Sequence, residues 1–242
     1  MLIRPIADLR TALSTLRTSG LSWTLRQIVV ALEYRLGRRF DQRHGVDTFA
    51  YVSLASLGFG SEEQCHGSDY RATPVRTLRA LLSRLPPDLR SFTFIDFGSG
   101  KGRALLVASD FPFRRIIGVE FSAELHRIAE TNLRVYRGRK QRCFDLSSMH
   151  ARAEEFSLPE GNLVLYFFNP FEQEIMEQVL DAIVRAWQKS PRTIYLVFFR
   201  LRFLPVIKRL GIFREITVLH LPLDLARPPG YDSAIFVAEM KH

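Results

Sequence analysis

The stretch FIDFGSGKGR, residues 94 to 103, decides how the rest of the chain is read. It begins as an apolar run carrying one acid, Asp96, then sets Gly98, Gly100 and Gly102 at alternate positions before an apolar helical segment starts at Arg103. Small residues at such a turn let the backbone come close to a ligand, and the first turn of the following helix offers N–H groups without intrahelical partners. Strand, glycine turn and helix in that order are the first half of a βαβ unit. Two common phosphate loops are excluded. The pattern G-x-G-x-x-G needs glycine at position 103, where Arg103 stands, and G-x-x-x-x-G-K-[ST] is absent.

The next apolar run, RIIGVEF (115–121), ends near Glu120, 18 residues beyond Gly102. A carboxylate there can accept both hydroxyls of a ribose. Asp96, just before the glycines, can meet a cationic group. One acid for an ammonium and one for a vicinal diol suit a ligand that is both nucleoside and amine better than they suit a pyrophosphate.

Working outward, short apolar runs alternate with helical stretches, as expected of a parallel sheet. Strands are expected at FTFIDF (92–97), RIIGVEF (115–121), DLSSMHA (145–151, the weakest), NLVLYFF (162–168), TIYLVFF (193–199), EITVLHL (215–221) and AIFVAEM (234–240). Helices are expected near 103–109, 123–136, 172–189 and 201–210. The last two strands are joined by PLDLARPPGYD rather than by a helix, so they should pair as an antiparallel hairpin at one edge. The expected fold class is α/β: a three-layer, Rossmann-like, seven-stranded sheet with an antiparallel final strand, preceded by an N-terminal helical segment. The expected division is 1–90 for the helical cap and 91–242 for the sheet domain.

Residues 6–40 carry apolar residues at helical spacing, with a break expected at Ser19 and Gly20. Eight Arg face Asp8, Glu33, Asp41 and Asp47 over residues 1–50. A basic amphipathic helix of this kind lies on a membrane or on nucleic acid, or packs its apolar side on its own chain. The chain is 242 residues long, 47% apolar and 24% charged, which is the balance of an ordinary globular protein. Its net charge of +9 comes from 34 basic residues of which only Lys101, Lys140, Lys189, Lys208 and Lys241 are lysines. That suits an acidic partner, or simply an Arg-rich surface. Cys65 and Cys143 alone make neither a disulfide framework nor a zinc knuckle, and the six histidines lack ligand spacing, so no metal is expected. His44 and His66 precede the sheet and remain acceptor-side candidates. No apolar run approaches the ~20 residues of a spanning helix and no signal core opens the chain, so a cytoplasmic protein is expected.

FIDFGSGKGR with GVEFS (118–122) resembles the first two motifs of class I S-adenosylmethionine (SAM) dependent methyltransferases, and the element order from 92 to 240 is similar to that fold. KRLGIFREI (208–216) is similar to the turn before its sixth strand. The resemblance implies SAM as cofactor, with Asp96 on the methionine amino group and Glu120 on the ribose. It places Gly98, Ser99, Gly100, Gly102 and Phe121 around them. YRATPVRTLRALL (70–82) resembles the segment that closes over the cofactor in DOT1-like and related protein-lysine methyltransferases, which implies that Tyr70 and Thr73 touch SAM. Thr73-Pro74 reads equally well as a helix start, with Thr as cap and Pro at the first position.

After the fourth strand, Asn169-Pro170-Phe171 stands where class I enzymes acting on amino groups often carry [DN]-P-P-[YF], with one proline missing here. An Asn oxygen can accept a hydrogen from an amine and a flanking aromatic can stabilise its positive charge, so the three residues are the acceptor-site candidates. An Asn-Pro turn opening the next helix is the structural alternative. Where many of these enzymes place an acid for the adenine amino group, the chain has Arg152, and Glu154 is the nearest substitute. The acceptor expected from the resemblance is an amine, with a protein lysine foremost. A nucleic acid, a small molecule, or a SAM-binding module without turnover are the alternatives.

Overall fold

In the computed structural model the described residues are 32, 35–49, 51–53, 70–168, 171–219 and 233–239. The break at Ser19 and Gly20, His66, Asn169, Pro170 and the connection 220–232 lie outside them.

All seven expected strands form. They are β3 (Phe92–Phe97), β4 (Arg115–Glu120), β5 (Leu146–His150), β6 (Asn162–Phe167), β7 (Ile194–Phe198), β8 (Arg214–Leu219) and β9 (Ser233–Ala238). The described helices are α1 (35–44), α2 (Val75–Leu82), α3 (Arg103–Ala108), α4 (Ala123–Val135), α5 (Gln173–Lys189) and α6 (Leu204–Arg209). A two-residue antiparallel ribbon, β1 (Tyr51–Val52) on β2 (Tyr70–Arg71), was not expected, because two residues leave no periodicity to read.

The seven strands form one sheet in the order β5-β4-β3-β6-β7-β9-β8. Neighbours from β5 through β7 are parallel, and β9 runs antiparallel to both β7 and β8. The final hairpin therefore folds back, placing the last strand inside the edge strand. The weak third strand lies at the other edge, in register with β4 from Ile116↔Leu146 to Glu120↔His150. An edge strand is covered less, which explains its poor apolar pattern.

Central strands are buried on both faces and so read as continuous apolar runs. One face carries Phe94, Val164, Tyr166 and Val197 against Leu78, Leu81 and Leu82 of α2, Leu105 and Leu106 of α3, and Phe40 of α1. The pre-sheet segment thus shares a core with the sheet. On the other face, Phe97, Leu165, Phe167 and Leu196 meet α5 and α6. α5 buries Met176, Val179, Leu180 and Ile183, spaced i, i+3, i+4 and i+7, which is the spacing of one helical face. Layers of helix, sheet and helix result.

The chain runs outward from β3 to β5, then returns to β6 on the other side of β3. The strand order reverses at β3, and in open α/β sheets the crevice beyond the carboxyl ends at such a point is where ligands bind. Asp96 and the glycine turn stand at that end of β3.

Candidate cofactor and active site

The glycine turn is built on left-handed backbone: φ is 76° at Gly98, 54° at Gly100 and 84° at Gly102. A side chain at Gly100 would also meet a neighbour, since its Cβ would lie 2.2 Å from two ring carbons of Tyr70. Tyr70 is held there by its hydroxyl, which donates to the Thr48 carbonyl at 2.6 Å. Most amides of the turn itself have partners within the protein. Gly98 and Ser99 donate to the Val119 carbonyl, Gly102 to that of Ser99, and Gly100 to a Glu120 carboxylate oxygen at 2.7 Å.

Glu120 is buried, and its second oxygen accepts from Ser122 N at 2.9 Å. Its side chain therefore ties the turn to the end of β4, and burial raises its pKa against the opposing pull of these amides. Each carboxylate oxygen keeps a lone pair beyond these bonds. Ser122 then caps α4, its side chain accepting from Leu125 N.

Asp96 is different. It too is buried, yet no hydrogen bond from another described residue reaches its carboxylate. Burial first, and the Glu120 charge second, hold its pKa well above the usual carboxylate range. Next to it in register on β6 stands Tyr166, fully buried, whose hydroxyl is pushed upward by burial and by the Asp96 charge. The buried Thr73 and the Arg200 charge oppose that shift. α2 starts at Val75 with Pro74 at its cap position and no side-chain cap bond, so Thr73 does not cap it. The Ser99 hydroxyl is buried without a partner.

Beyond β4 and β5 lie Phe121, whose carbonyl His150 Nε2 approaches to 2.9 Å, and Glu154, paired with Arg152 at 3.0 Å. Arg152 and Glu154, weighed singly for the adenine position, thus form a pair. Phe171 is buried among the apolar residues facing α5, and α5 begins at Gln173 with no side-chain cap. His44 packs between Phe40 and Tyr136, with ring centroids 4.7 and 4.9 Å away. Burial and the Arg43 charge lower its pKa. Among the described residues no group of three or more His, Cys, Asp or Glu could hold a metal, and no helix is long and apolar enough to cross a membrane.

Sequence reasoning missed a lock beneath the turn. Arg103, read there only as a missing glycine, is buried and donates to Thr48 Oγ1 at 2.6 Å, Asp41 Oδ1 at 2.8 Å and the Gly37 carbonyl at 3.2 Å. Lys101 Nζ reaches Asp47 at 2.9 Å, and Asn132 of α4 bonds the backbone of both Asp47 and Lys101. Residues 37–48 are thereby fastened to the turn. The available signal was two cations inside a small-residue loop with Asp41 and Asp47 upstream. Arg200, just past β7, was also missed. It has the one positive φ among described non-glycine residues, 66°, and its guanidinium lies 5.6 Å from the Phe168 ring centroid.

The architecture is that of the class I, Rossmann-like SAM-dependent methyltransferase fold. The glycopeptide N-methyltransferase MtfA matches with a TM-score of 0.50 at 10% identity, over 69% of this chain and 90% of that one. The 23S rRNA methyltransferase ErmE gives 0.47 at 16% identity over 68% of each chain. A ribosomal protein L11 methylase from Lactobacillus delbrueckii subsp. bulgaricus gives 0.46 at 13% over 67% and 77%. No family profile and no curated protein sequence matches the chain.

Proposed function

We propose that the chain is a SAM-dependent methyltransferase that methylates an amine nitrogen, with a protein lysine as acceptor. The observation that carries the cofactor reading is the buried Asp96 carboxylate that no described donor reaches, beside the unpartnered Ser99 hydroxyl. A buried carboxyl without a partner is costly to ionise, and a ligand ammonium would stabilise its ionised form. The residues present fit SAM. Asp96 would take its amino group and Glu120 its ribose hydroxyls through the lone pairs left over. Tyr70, Thr73, Phe121 and Glu154 would surround it, and Gly98, Gly100 and Gly102 would let backbone approach. Bound there, SAM supplies a methyl group on a sulfonium, activated for displacement.

The chain's remaining task is to hold an acceptor nitrogen in line with that methyl and to receive its hydrogen bonds. Asn169, Pro170 and Phe171 follow β6, whose carboxyl end neighbours that of β3, and the Asn169 oxygen is the group suited to an amine. A second reading, an amino group of a nucleic acid as acceptor, is favoured by the net charge of +9.

Titrating SAM calorimetrically into wild type, Asp96→Asn and Glu120→Ala tests the cofactor. Loss of a hydrogen bond to a charged group should weaken binding about tenfold or more in each variant. No binding by wild type, or equal affinities throughout, would refute it. Labelled SAM in a lysate lacking the protein tests the acceptor: label on protein lysine is expected, and label on RNA, DNA or a metabolite overturns the lysine reading.

A further inference from the structure

Many exposed cations fall on one surface. α1 presents Arg35, Arg38, Arg39 and Arg43, all exposed and set along one side of the helix. The end of α4 and the connection into β5 add Arg134, Arg137, Arg139, Lys140 and Arg142, also exposed. The two groups are joined side by side. Tyr136 stacks on Phe40 with centroids 6.2 Å apart and packs on His44 at 4.9 Å, and the Arg137 backbone hydrogen-bonds His44. None of these cations forms an ion pair with a described acid. Next to them Phe144 is 78% exposed. Its neighbour Cys143 is buried and its N–H donates to the Ser109 carbonyl, so the loop is pinned with the ring held outward.

We propose that this surface docks single-stranded nucleic acid, with the cations on its phosphates and Phe144 against an unstacked base. Asp41, Asp47 and Asp145 nearby are already paired with Arg103, Lys101 and Arg115, so these like charges still repel one another, and a polyanion relieves that repulsion while releasing its own counterions. All but one of the cations are Arg, whose planar fork matches a phosphate with two hydrogen bonds. An exposed aromatic ring stacks on any base, independent of sequence. An anionic bilayer would feel the same charges but has little to bury here, since besides Phe144 only Leu32 and Val135 are exposed large apolar side chains beside α1 and the α4–β5 connection among the described residues.

The α4–β5 connection enters the sheet at the end away from Asp96 and Glu120, and strands of this length separate the two ends by about 17–20 Å. Docking on that connection leaves the crevice beyond β3 open, while α1 is tied through Gly37 and Asp41 to Arg103 at the turn. Binding of a strand needs no SAM, so the proposal can fail or succeed without the methyltransferase reading.

The test is fluorescence anisotropy of labelled oligo-uridine and oligo-thymidine, each of about 20 nucleotides, titrated with the full chain at roughly 50 to 200 mM salt. If about six phosphates are neutralised, log K should fall against log salt with a slope of about −4. The triple variant Arg139→Ser, Lys140→Ser, Arg142→Ser should bind about tenfold or more weakly and lose about 2 from that slope. Phe144→Ser should weaken binding about tenfold with the slope unchanged. Arg185→Ser, Lys189→Ser, Lys208→Ser removes the same charge from exposed positions on α5 and α6 and should bind like wild type. Circular dichroism and melting of each variant check that it is folded. Binding of either strand supports the surface, and the preferred strand tells RNA from DNA. Equal losses in the two triple variants, no binding by wild type at the lowest salt, or binding to phosphatidylserine vesicles in place of both strands overturns it.

Discussion

Arg103→Met should destabilise the protein through a charge left behind, since it keeps an unbranched apolar stem while removing the guanidinium. Arg103 is 2% exposed and its partner Asp41 has a side chain 13% exposed, so neither charge of the pair is well hydrated. The guanidinium also lies 5.4 and 5.5 Å from the ring centroids of Phe40 and Phe49. Breaking a buried pair from one side costs about 3–5 kcal/mol, because the other charge stays buried. Asp41 retains three donors, Thr48 N, Thr48 Oγ1 and Phe49 N, at 2.6 to 2.7 Å, which places the expectation at the lower end, about 3 kcal/mol. For a chain of this size that is a fall in Tm of about 6–12 °C. Scanning calorimetry on Arg103→Met, Asp41→Asn and the double variant should give a coupling of about 1–3 kcal/mol. Amide exchange at Thr48 and Phe49 should quicken in both single variants. A cost within about 0.5 kcal/mol of zero for Arg103→Met, or simple additivity of the two changes, would refute the lock.

Two further outcomes follow from the site. Asp96 has its pKa raised in the folded chain, chiefly by burial. The folded state therefore holds a proton that the unfolded state releases once pH passes the ordinary carboxylate value. Ligand-free stability is highest below that value and falls as pH rises toward the folded pKa, by about 1.4 kcal/mol for each pH unit between the two. Asp96→Asn should flatten this fall and stabilise the ligand-free chain at neutral pH while weakening SAM binding, and urea unfolding across the acid-to-neutral range would expose an unchanged slope as a contradiction. Gly45 and Gly100 both have left-handed φ, 64° and 54°, but a Cβ at Gly45 meets nothing within 4 Å. Gly45→Ala should cost about 1–2 kcal/mol of backbone strain, and Gly100→Ala about 1–3 kcal/mol more because Tyr70 must move. Equal midpoints in denaturant for the two variants would remove Tyr70 from the account.

The strands and most helix boundaries follow from local pattern alone. A strand covered on both faces, such as Leu163 to Phe167, must be apolar throughout, and the three glycines are written into the turn by backbone that other residues take up only with strain. Asp96 and Glu120 could be marked as site residues because each ends a strand beside that turn. Their difference could not be foreseen: Glu120 spends both oxygens on the turn and on α4, while no described donor reaches Asp96. The burial of Arg103 against Gly37, Asp41 and Thr48 likewise depends on residues 37–48 arriving from outside the sheet, and the basic surface on Tyr136 meeting His44 from a helix some ninety positions earlier. Periodicity and turn chemistry are imposed by near neighbours along the chain and so survive in the sequence. Which charge is buried, paired or left waiting for a ligand is set by what packs against it in space, and only the folded chain decides that.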